Sequence, residues 1–133
     1  KAQFSKFENK ILKKKIEIGK YYNRKFQNSH FETTQKILYQ HKPVFWLNSI
    51  KFKSSSPKRV QAIGNYLIKN NIEVRSGFWP MSKLKYFKSK LVDIKNEKTS
   101  EKIFDSSLVL PSSIFLKKKQ IDKIYKLILN KFF

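Results

Sequence analysis

The stretch from Ile72 to Phe87 collects residue types that can bind a ligand. Arg75 is one of only three arginines in the chain, and its planar guanidinium can hold a phosphate or a carboxylate through two parallel hydrogen bonds. Trp79 offers an aromatic face on which a sugar or a base can stack. These side chains make the stretch the candidate binding segment of the chain.

The same residues also have a purely structural interpretation. Arg75 can pair with a nearby carboxylate, such as Glu73 or Asp105, and Trp79-Pro80-Met81 can cap a hydrophobic core. Packing is the favoured interpretation for Phe78, since aromatic side chains are more often core residues than ligand contacts. For Arg75 the sequence leaves both interpretations open.

Other kinds of site find little support in the sequence. The chain has no cysteine, which excludes a disulfide framework and a thiolate metal site. His30 and His41 have no carboxylate cluster beside them, so we expect surface or loop positions and no metal. The nine carboxylates are scattered and the three glycines are not clustered, which leaves no hydrolytic constellation and no phosphate-cradling loop.

The formal net charge of +21 suggests an anionic partner such as nucleic acid. However, the basic residues are 27 lysines and only 3 arginines, although arginine is the better bidentate ligand for phosphates and bases. Mutational bias toward A- and T-rich codons would give the same composition, and the lysines are spread along the whole chain. We therefore expect a solvated lysine surface and do not expect nucleic acid as the main partner.

The chain of 133 residues is long enough for one domain. No apolar run approaches the ~20 residues that a membrane span needs, and the first residues lack the order of a signal peptide. We expect a cytoplasmic protein without membrane contact.

Hydrophobic periodicity predicts the elements that position the candidate segment. Apolar residues three, four or seven apart predict one long helix over residues 2–27. Alternation over residues 43–52 predicts a half-buried strand. Its core-facing side chains are expected to be Val44, Trp46, Ile50 and Phe52.

Ser56 as cap and Pro57 at the first position predict a second helix, which should end at Asn70-Asn71. A short strand, Ile72 to Arg75, should follow directly. The expected buried face of this helix comprises Val60, Ile63, Gly64, Leu67 and Ile68.

The C-terminal half predicts a helical turn near Leu84 to Phe87, a helix that opens at Thr99 or Ser100, and a third strand that stops at Pro111. A final amphipathic helix is marked by Ile121, Ile124, Ile128 and Phe132. Together these elements predict an α+β fold, with a small, mostly antiparallel sheet of three or four strands covered by helices and a long N-terminal helix.

Four blocks of the chain, in the correct order, resemble the DegT/DnrJ/StrS family of pyridoxal-phosphate-dependent sugar aminotransferases. The block "IEVRSGFWPMSKLKYF" resembles the pattern G-I-x-T-R-x-x-Y-x-P-L-H-x-x-P-x-F of that family, and "PVFWLNSIKF" is similar to its V-Y-W-M-Y-x-I strand. The opening "AQFSKFENKILKKKIEIGKYYNRKF" resembles the A-Q-L-x-x-L-x-x-x-I-x-x-R-x-x-I-A-x-x-Y-x-x-x-L helix of the family. The block "SEKIFDSSLVLPSSIFLKKKQIDKIYKLI" resembles its closing S-E-x-L-x-x-x-x-L-x-L-P-S-x-x-x-L-x-x-x-x-I-x-x-I segment. The resemblance spans almost the whole chain.

The resemblance implies that the cofactor belongs to a large N-terminal domain that carries a Schiff-base lysine. Nothing in this chain resembles the segment around that lysine, so no catalytic and no cofactor-binding residue is assigned. Residues 1–133 are expected to be the C-terminal small domain of a fold type I enzyme, a fragment that is inactive alone. Its expected partners are the missing large domain, docked on an exposed apolar patch, and a second copy of the chain.

The resemblance also implies that the loop after the arginine strand lies near the mouth of the active site, where a nucleotide sugar enters. The expected substrate-binding residues are Arg75, Phe78, Trp79, Ser82 and Lys83. The family often has histidine where this chain has Ser82, and proline where it has Lys85. Because a serine hydroxyl does not titrate near neutral pH, the sugar or the reaction can differ here.

A different class of function remains open from the sequence. The chain can instead be a free-standing lysine-rich module that binds nucleic acid or another polyanion. That hypothesis predicts lysines gathered on one face and an affinity that falls steeply with salt.

Overall fold

The computed structural model describes residues 7–33, 43–86 and 97–133. A π-helical turn, Phe7–Leu12, leads into the first helix, and a 3-10 turn, Met81–Lys83, follows the third strand. The described residues form four α-helices and four β-strands. These are α1 (Lys13–Lys25), β1 (Phe31–Thr33), β2 (Asn48–Phe52), α2 (Pro57–Lys69), β3 (Arg75–Ser76), α3 (Glu97–Ser106), β4 (Ser107–Leu110) and α4 (Lys118–Phe132).

The four strands form one sheet in the order β1-β2-β4-β3, and every neighbouring pair is antiparallel. Ile50 lies between Thr33 and Leu108 at the centre of the sheet. Arg75 lies opposite Val109 at the β3 edge. The predicted α+β fold with a small antiparallel sheet is confirmed, although the sequence did not locate β1.

One face of the sheet forms the floor of a single hydrophobic core. Helices α1, α2 and α4 bring apolar side chains spaced three or four residues apart onto this face, as the amphipathic pattern requires. The helical members of the core are Ile18, Tyr22, Val60, Ile63, Leu67, Ile121, Ile124 and Ile128, and the sheet contributes Phe31, Ile50, Phe52, Leu108 and Leu110.

The long N-terminal helix is confirmed over the part of it that the structure describes. The π-helical turn and α1 together cover Phe7 to Lys25, while residues 2–6 of the expected helix lie outside the described residues. Ile18 and Tyr22 are buried one turn apart, and Phe26 closes the helix with its side chain in the core.

The predicted strand over residues 43–52 is shorter than expected and starts at Asn48. Ile50 and Phe52 face the core as predicted, but the placement of Val44 and Trp46 there is wrong, since they are 48% and 70% exposed. The cause is Phe45, whose backbone has φ 52. This left-handed conformation breaks the alternation, so Phe45 is buried in place of its neighbours.

Helix α2 begins and ends as its caps predict. The Ser56 hydroxyl accepts a hydrogen bond from the Arg59 amide at 3.3 Å, and Pro57 occupies the first turn. The helix is capped at Asn70, and Asn71 takes the left-handed conformation with φ 60.

Four further boundaries or faces differ from the sequence predictions. Ile68 is 54% exposed rather than buried, because it lies beyond the edge of the apolar stripe. Strand β3 starts at Arg75 and not at Ile72, whose amide still donates to the Leu67 carbonyl at 3.0 Å as part of the helix end. The helical turn is at Met81–Lys83 rather than near Leu84 to Phe87, of which Phe87 lies outside the described residues. Helix α3 is already helical at Glu97, upstream of the expected opening at Thr99 or Ser100.

Candidate functional site

The candidate binding segment runs along the edge of the sheet. Among the strands that the structure describes, β3 pairs only with β4, and both of its residues, Arg75 and Ser76, are exposed. An edge position leaves one side of the strand open to a ligand or to another protein. The segment is therefore accessible from solvent.

Arg75 is paired with Glu73, which was one of the two interpretations that the sequence left open. Its guanidinium donates to one Glu73 carboxylate oxygen, from Nη2 at 2.8 Å and from Nε at 3.3 Å. Both side chains are more than three-quarters exposed, so this ion pair contributes little stability. Either partner is free to exchange for a stronger one.

Trp79 and Lys83 rest on the side chains of α3. The Trp79 ring stacks on Phe104 with centroids 4.8 Å apart and an interplanar angle of 34°, yet it remains 59% exposed. Lys83 is 3.8 Å from Glu101 and lies above the Phe104 ring. The expected packing of this turn is thus partly confirmed, because Trp79 has a partner while Met81 is 58% exposed.

Phe78 is not a core residue, and the expectation that it packs there is wrong. Its side chain is 75% exposed because it follows β3, which lies at the edge of the sheet among the described strands. Ser82 lies in the 3-10 turn Met81–Lys83, and its side chain is outside the described part of the structure.

A groove of about 480 Å³ gathers several of these residues, and we call it the aromatic groove. Arg75 and Phe78 contribute from the candidate segment, and Trp46 contributes from the loop before β2. Trp79 and Lys83 are not among its lining residues. Its lining residues are Trp46, Leu47, Glu73, Arg75, Ser76, Phe78, Val109, Leu110, Pro111, Ser112 and Ser113.

Trp46 is the functional candidate that sequence reasoning missed. The alternation pattern assigned its ring to the core, whereas the structure exposes it beside Arg75. The signal in the sequence is the adjacent pair Phe45-Trp46, because two successive large aromatics cannot both face the buried side of a regular strand.

Lys15 of α1 is hydrogen-bonded to two walls of the aromatic groove. Its ammonium group donates to the carbonyl oxygen of Trp46 at 3.2 Å and to that of Ser112. Burial lowers the pKa of Lys15, because a charged amine is poorly solvated beneath the groove wall.

A second groove of about 440 Å³ lies between α2 and α3, and Arg75 and Ser76 line both grooves. Its floor is apolar and includes Val60, Val74 and Leu108. Arg75 therefore stands on the ridge between two depressions and can reach a ligand in either.

Neither histidine is placed in a site by the structure. His30 lies against the Phe133 ring, with ring centroids 4.5 Å apart, and His41 is outside the described residues. Among the described residues, no group of three or more histidine, cysteine or carboxylate side chains could hold a metal ion. Within the same ranges, no helix is both long and apolar enough to cross a membrane.

Lys15, whose pKa is lowered by burial, does not fit the imine-forming lysine of a pyridoxal phosphate site. Such a site needs a lysine amine that can form an imine and groups that anchor the phosphate. The Lys15 amine is engaged by two main-chain carbonyls, and the described glycines have no positive φ that would form a phosphate-binding nest. We derive no chemical step through that cofactor on this chain.

Comparison with protein-family models finds one family over most of the chain. The model of the DegT/DnrJ/EryC1/StrS aminotransferase family matches residues 1–129. Comparison with the curated protein sequences finds no significant match.

Three solved structures with a similar fold are described as aminotransferases. A sugar aminotransferase, Spr1654 from Streptococcus pneumoniae in its PMP form, matches 95% of this chain with a TM-score of 0.84 and 18% identity. PseC of Helicobacter pylori, an aminotransferase of pseudoaminic acid biosynthesis, matches 98% with a TM-score of 0.81 and 19% identity. A DegT DnrJ EryC1 StrS aminotransferase from Brucella abortus matches 97%, with a TM-score of 0.81 and 16% identity.

The chain spans about a third of the length of these solved structures. The matched share is 31% of Spr1654, 35% of PseC and 33% of the Brucella abortus protein. At these identities the likeness shows a shared fold for the matched third.

Proposed function

The chain belongs to the DegT/DnrJ/EryC1/StrS aminotransferase family, and from this we propose that it forms the substrate-side part of a pyridoxal-phosphate-dependent sugar aminotransferase. Residues 1–133 act in this proposal as one small domain in the cytoplasm, and a separate large domain holds the cofactor. The observation that carries the proposal is the family match over residues 1–129. The similar solved structures, described as sugar aminotransferases and including a PLP form, support it.

The aromatic groove is the surface that we propose for the nucleotide-sugar substrate. Trp46 and Phe78 present exposed rings on which a sugar or base face can stack. Arg75 supplies the cation for the diphosphate. The aromatic groove has a volume of about 480 Å³, which is within the usual range of small-molecule sites.

The remaining expected residues lie next to this groove in the chain. Trp79, Ser82 and Lys83 follow Phe78 along the edge and would contact the part of the substrate that extends beyond Arg75. The contact of Lys83 with Glu101 is long, at 3.8 Å, so its amine can exchange this partner for a substrate anion.

Glu73 competes with the substrate anion for the Arg75 guanidinium. Its carboxylate accepts hydrogen bonds from Arg75 Nη2 at 2.8 Å and from Nε at 3.3 Å, so a diphosphate that binds through these two donors must displace it. Removing the Glu73 charge should therefore strengthen anion binding, whereas removing Arg75 should weaken it.

The large domain would dock on apolar side chains that the described structure leaves exposed. Phe115 and Val44 are 80% and 48% exposed, and Ile68 lines the second groove. The same side chains would support self-association when the large domain is absent.

The test is a titration of the ¹⁵N-labelled chain with a nucleoside-diphosphate sugar, read from the two indole N–H signals of Trp46 and Trp79. We expect the Trp46 signal to shift on binding. Arg75→Ala should weaken the binding roughly tenfold or more, because a charge-assisted hydrogen bond contributes about 1.5–3 kcal/mol, and Glu73→Gln should tighten it.

Two results would overturn the substrate assignment. One is the absence of any indole shift at millimolar ligand, and the other is equal binding by the wild type and the Arg75→Ala variant.

Borohydride reduction with pyridoxal phosphate, followed by measurement of the intact mass, tests the proposal that a separate large domain holds the cofactor. A single stoichiometric adduct at one lysine would show that this chain anchors the cofactor itself.

A further inference from the structure

A third groove, on the outer side of α4, concentrates positive charge. It lies between α4 and the Tyr66 ring of α2 and has a volume of about 560 Å³. We call it the basic groove, and it shares no lining residue with the other two grooves. It is lined by Tyr66, Lys119, Asp122, Lys123, Lys126, Leu127, Asn130 and Lys131.

The only carboxylate in its lining is already engaged. Asp122 forms an ion pair with Lys25 at 2.9 Å and accepts hydrogen bonds from the Tyr21 hydroxyl at 2.9 and 3.0 Å. The Lys25 ammonium, and after it the Tyr21 hydroxyl, hold the pKa of Asp122 below its usual range. The carboxylate is thus directed toward α1.

The lysines of the groove, in contrast, have no anionic partner in the part of the chain that the structure describes, apart from the Coulomb interaction between Lys126 and Asp122. None of the ion pairs among those residues involves Lys119, Lys123, Lys126 or Lys131. Four ammonium groups that line one concave surface repel each other, and a multivalent anion relieves that repulsion.

The spacing of the lysines suits a linear array of phosphates. Lys119, Lys123 and Lys126 are four and three residues apart, so they lie on one face of α4. At 1.5 Å per residue they extend over about 10 Å, which is about three phosphates along one strand of B-DNA at 3.4 Å each.

From this arrangement we propose that the basic groove binds the phosphate backbone of nucleic acid without reading its sequence. Lysine acts as a flexible point charge and not as a bidentate base reader, and the one aromatic ring in the lining, Tyr66, is partly buried and packs against Phe132. The proposal is independent of the substrate role given to the aromatic groove.

A membrane surface fits the same charges less well. A helix that lies on a bilayer inserts its apolar face between the lipids. Here that face is occupied, because Ile121, Ile124 and Ile128 are buried in the protein core. The charge is therefore presented in a groove whose lining includes one apolar aliphatic side chain, the partly buried Leu127.

The experiment measures the affinity of the whole chain for a fluorescently labelled DNA duplex as a function of salt. The test variant is Lys119→Gln/Lys123→Gln. The matched control, Lys98→Gln/Lys102→Gln, removes two exposed lysines with the same spacing from α3 and changes the net charge equally. Thermal unfolding of both variants verifies that the fold is intact.

We expect the groove variant to bind roughly tenfold or more weakly near 0.1 M salt and to lower the slope of log K against log salt by about 2. The control should change the affinity by less than about threefold, and two duplexes of unrelated sequence should bind equally well. Equal losses in the two variants would overturn the proposal, since net charge alone would then explain the binding. Tighter binding to polyglutamate or to vesicles that contain phosphatidylglycerol would overturn it too.

Discussion

At the scale of single residues, Gly19 and Phe45 show how one missing Cβ shapes the candidate site. A Cβ at position 19 would collide with the Phe45 ring, so only glycine lets α1 approach the loop before β2. Phe45 enters this space in the left-handed conformation with φ 52. Because Phe45 turns inward, its neighbour Trp46 turns outward into the aromatic groove.

Gly19→Ala should destabilise the protein, whereas Gly64→Ala should not. The added methyl at position 19 overpacks against Phe45 and should cost about 1–3 kcal/mol of unfolding free energy. At position 64 the nearest atom would be Leu108 Cδ2 at 3.6 Å, an ordinary contact, so the better helix propensity of alanine should add up to about 1 kcal/mol. Urea denaturation measures both, and equal effects of the two substitutions would contradict this assignment.

At the scale of elements, Lys15 connects α1 to two loops that form walls of the aromatic groove. The loops precede β2 and follow β4, and the sheet itself holds only one end of each. The ammonium group of Lys15 binds one carbonyl from each loop. The first helix therefore sets the distance between the groove walls.

Lys15→Met should loosen this connection while it keeps most of the apolar stem. We expect a loss of about 1–3 kcal/mol in unfolding free energy, because the two charge-assisted hydrogen bonds disappear, together with a shift of the Trp46 indole signal. Lys13→Met, at an exposed position on the same helix, is the matched control and should stay within about 0.5 kcal/mol. An unchanged Trp46 signal in Lys15→Met would show that the loops hold their positions without the lysine.

At the scale of the whole molecule, self-repulsion is the dominant electrostatic term. Thirty basic residues face nine acidic ones, so most cations have no anionic partner and the folded state concentrates them. Ion pairs such as Lys25–Asp122 relieve this only locally. The fold depends on its hydrophobic core to overcome the remaining repulsion.

Added sodium chloride should accordingly raise the melting temperature. Between about 0.01 M and about 0.2 M salt the screening length falls well below the size of the domain, so repulsion weakens more than the few ion pairs do. Thermal unfolding followed by circular dichroism checks this, with chloride chosen because sulfate stabilises proteins through exclusion from their surface. A melting temperature that falls with salt would mean that ion pairs outweigh repulsion.

The sequence alone determined the structural features that depend on residues close together in the chain. The Ser56 cap, the helix end at Asn70-Asn71 and the apolar stripe of α4 follow from local hydrogen bonding and periodicity, and they were predicted correctly. The α+β class and the family resemblance follow from the order of such segments. These features need no information about distant contacts.

Only the tertiary structure decided which side chains meet. Trp46, Arg75 and Val109 share a groove although they are far apart in sequence, and the inward turn of Phe45 depends on the missing Cβ of Gly19. The lysines of α4 line a groove because the Tyr66 ring of α2 lies beside them. Side-chain exposure depends on long-range packing, whereas periodicity reports only local patterns, and the outward positions of Trp46 and Phe78 therefore could not be predicted from the sequence.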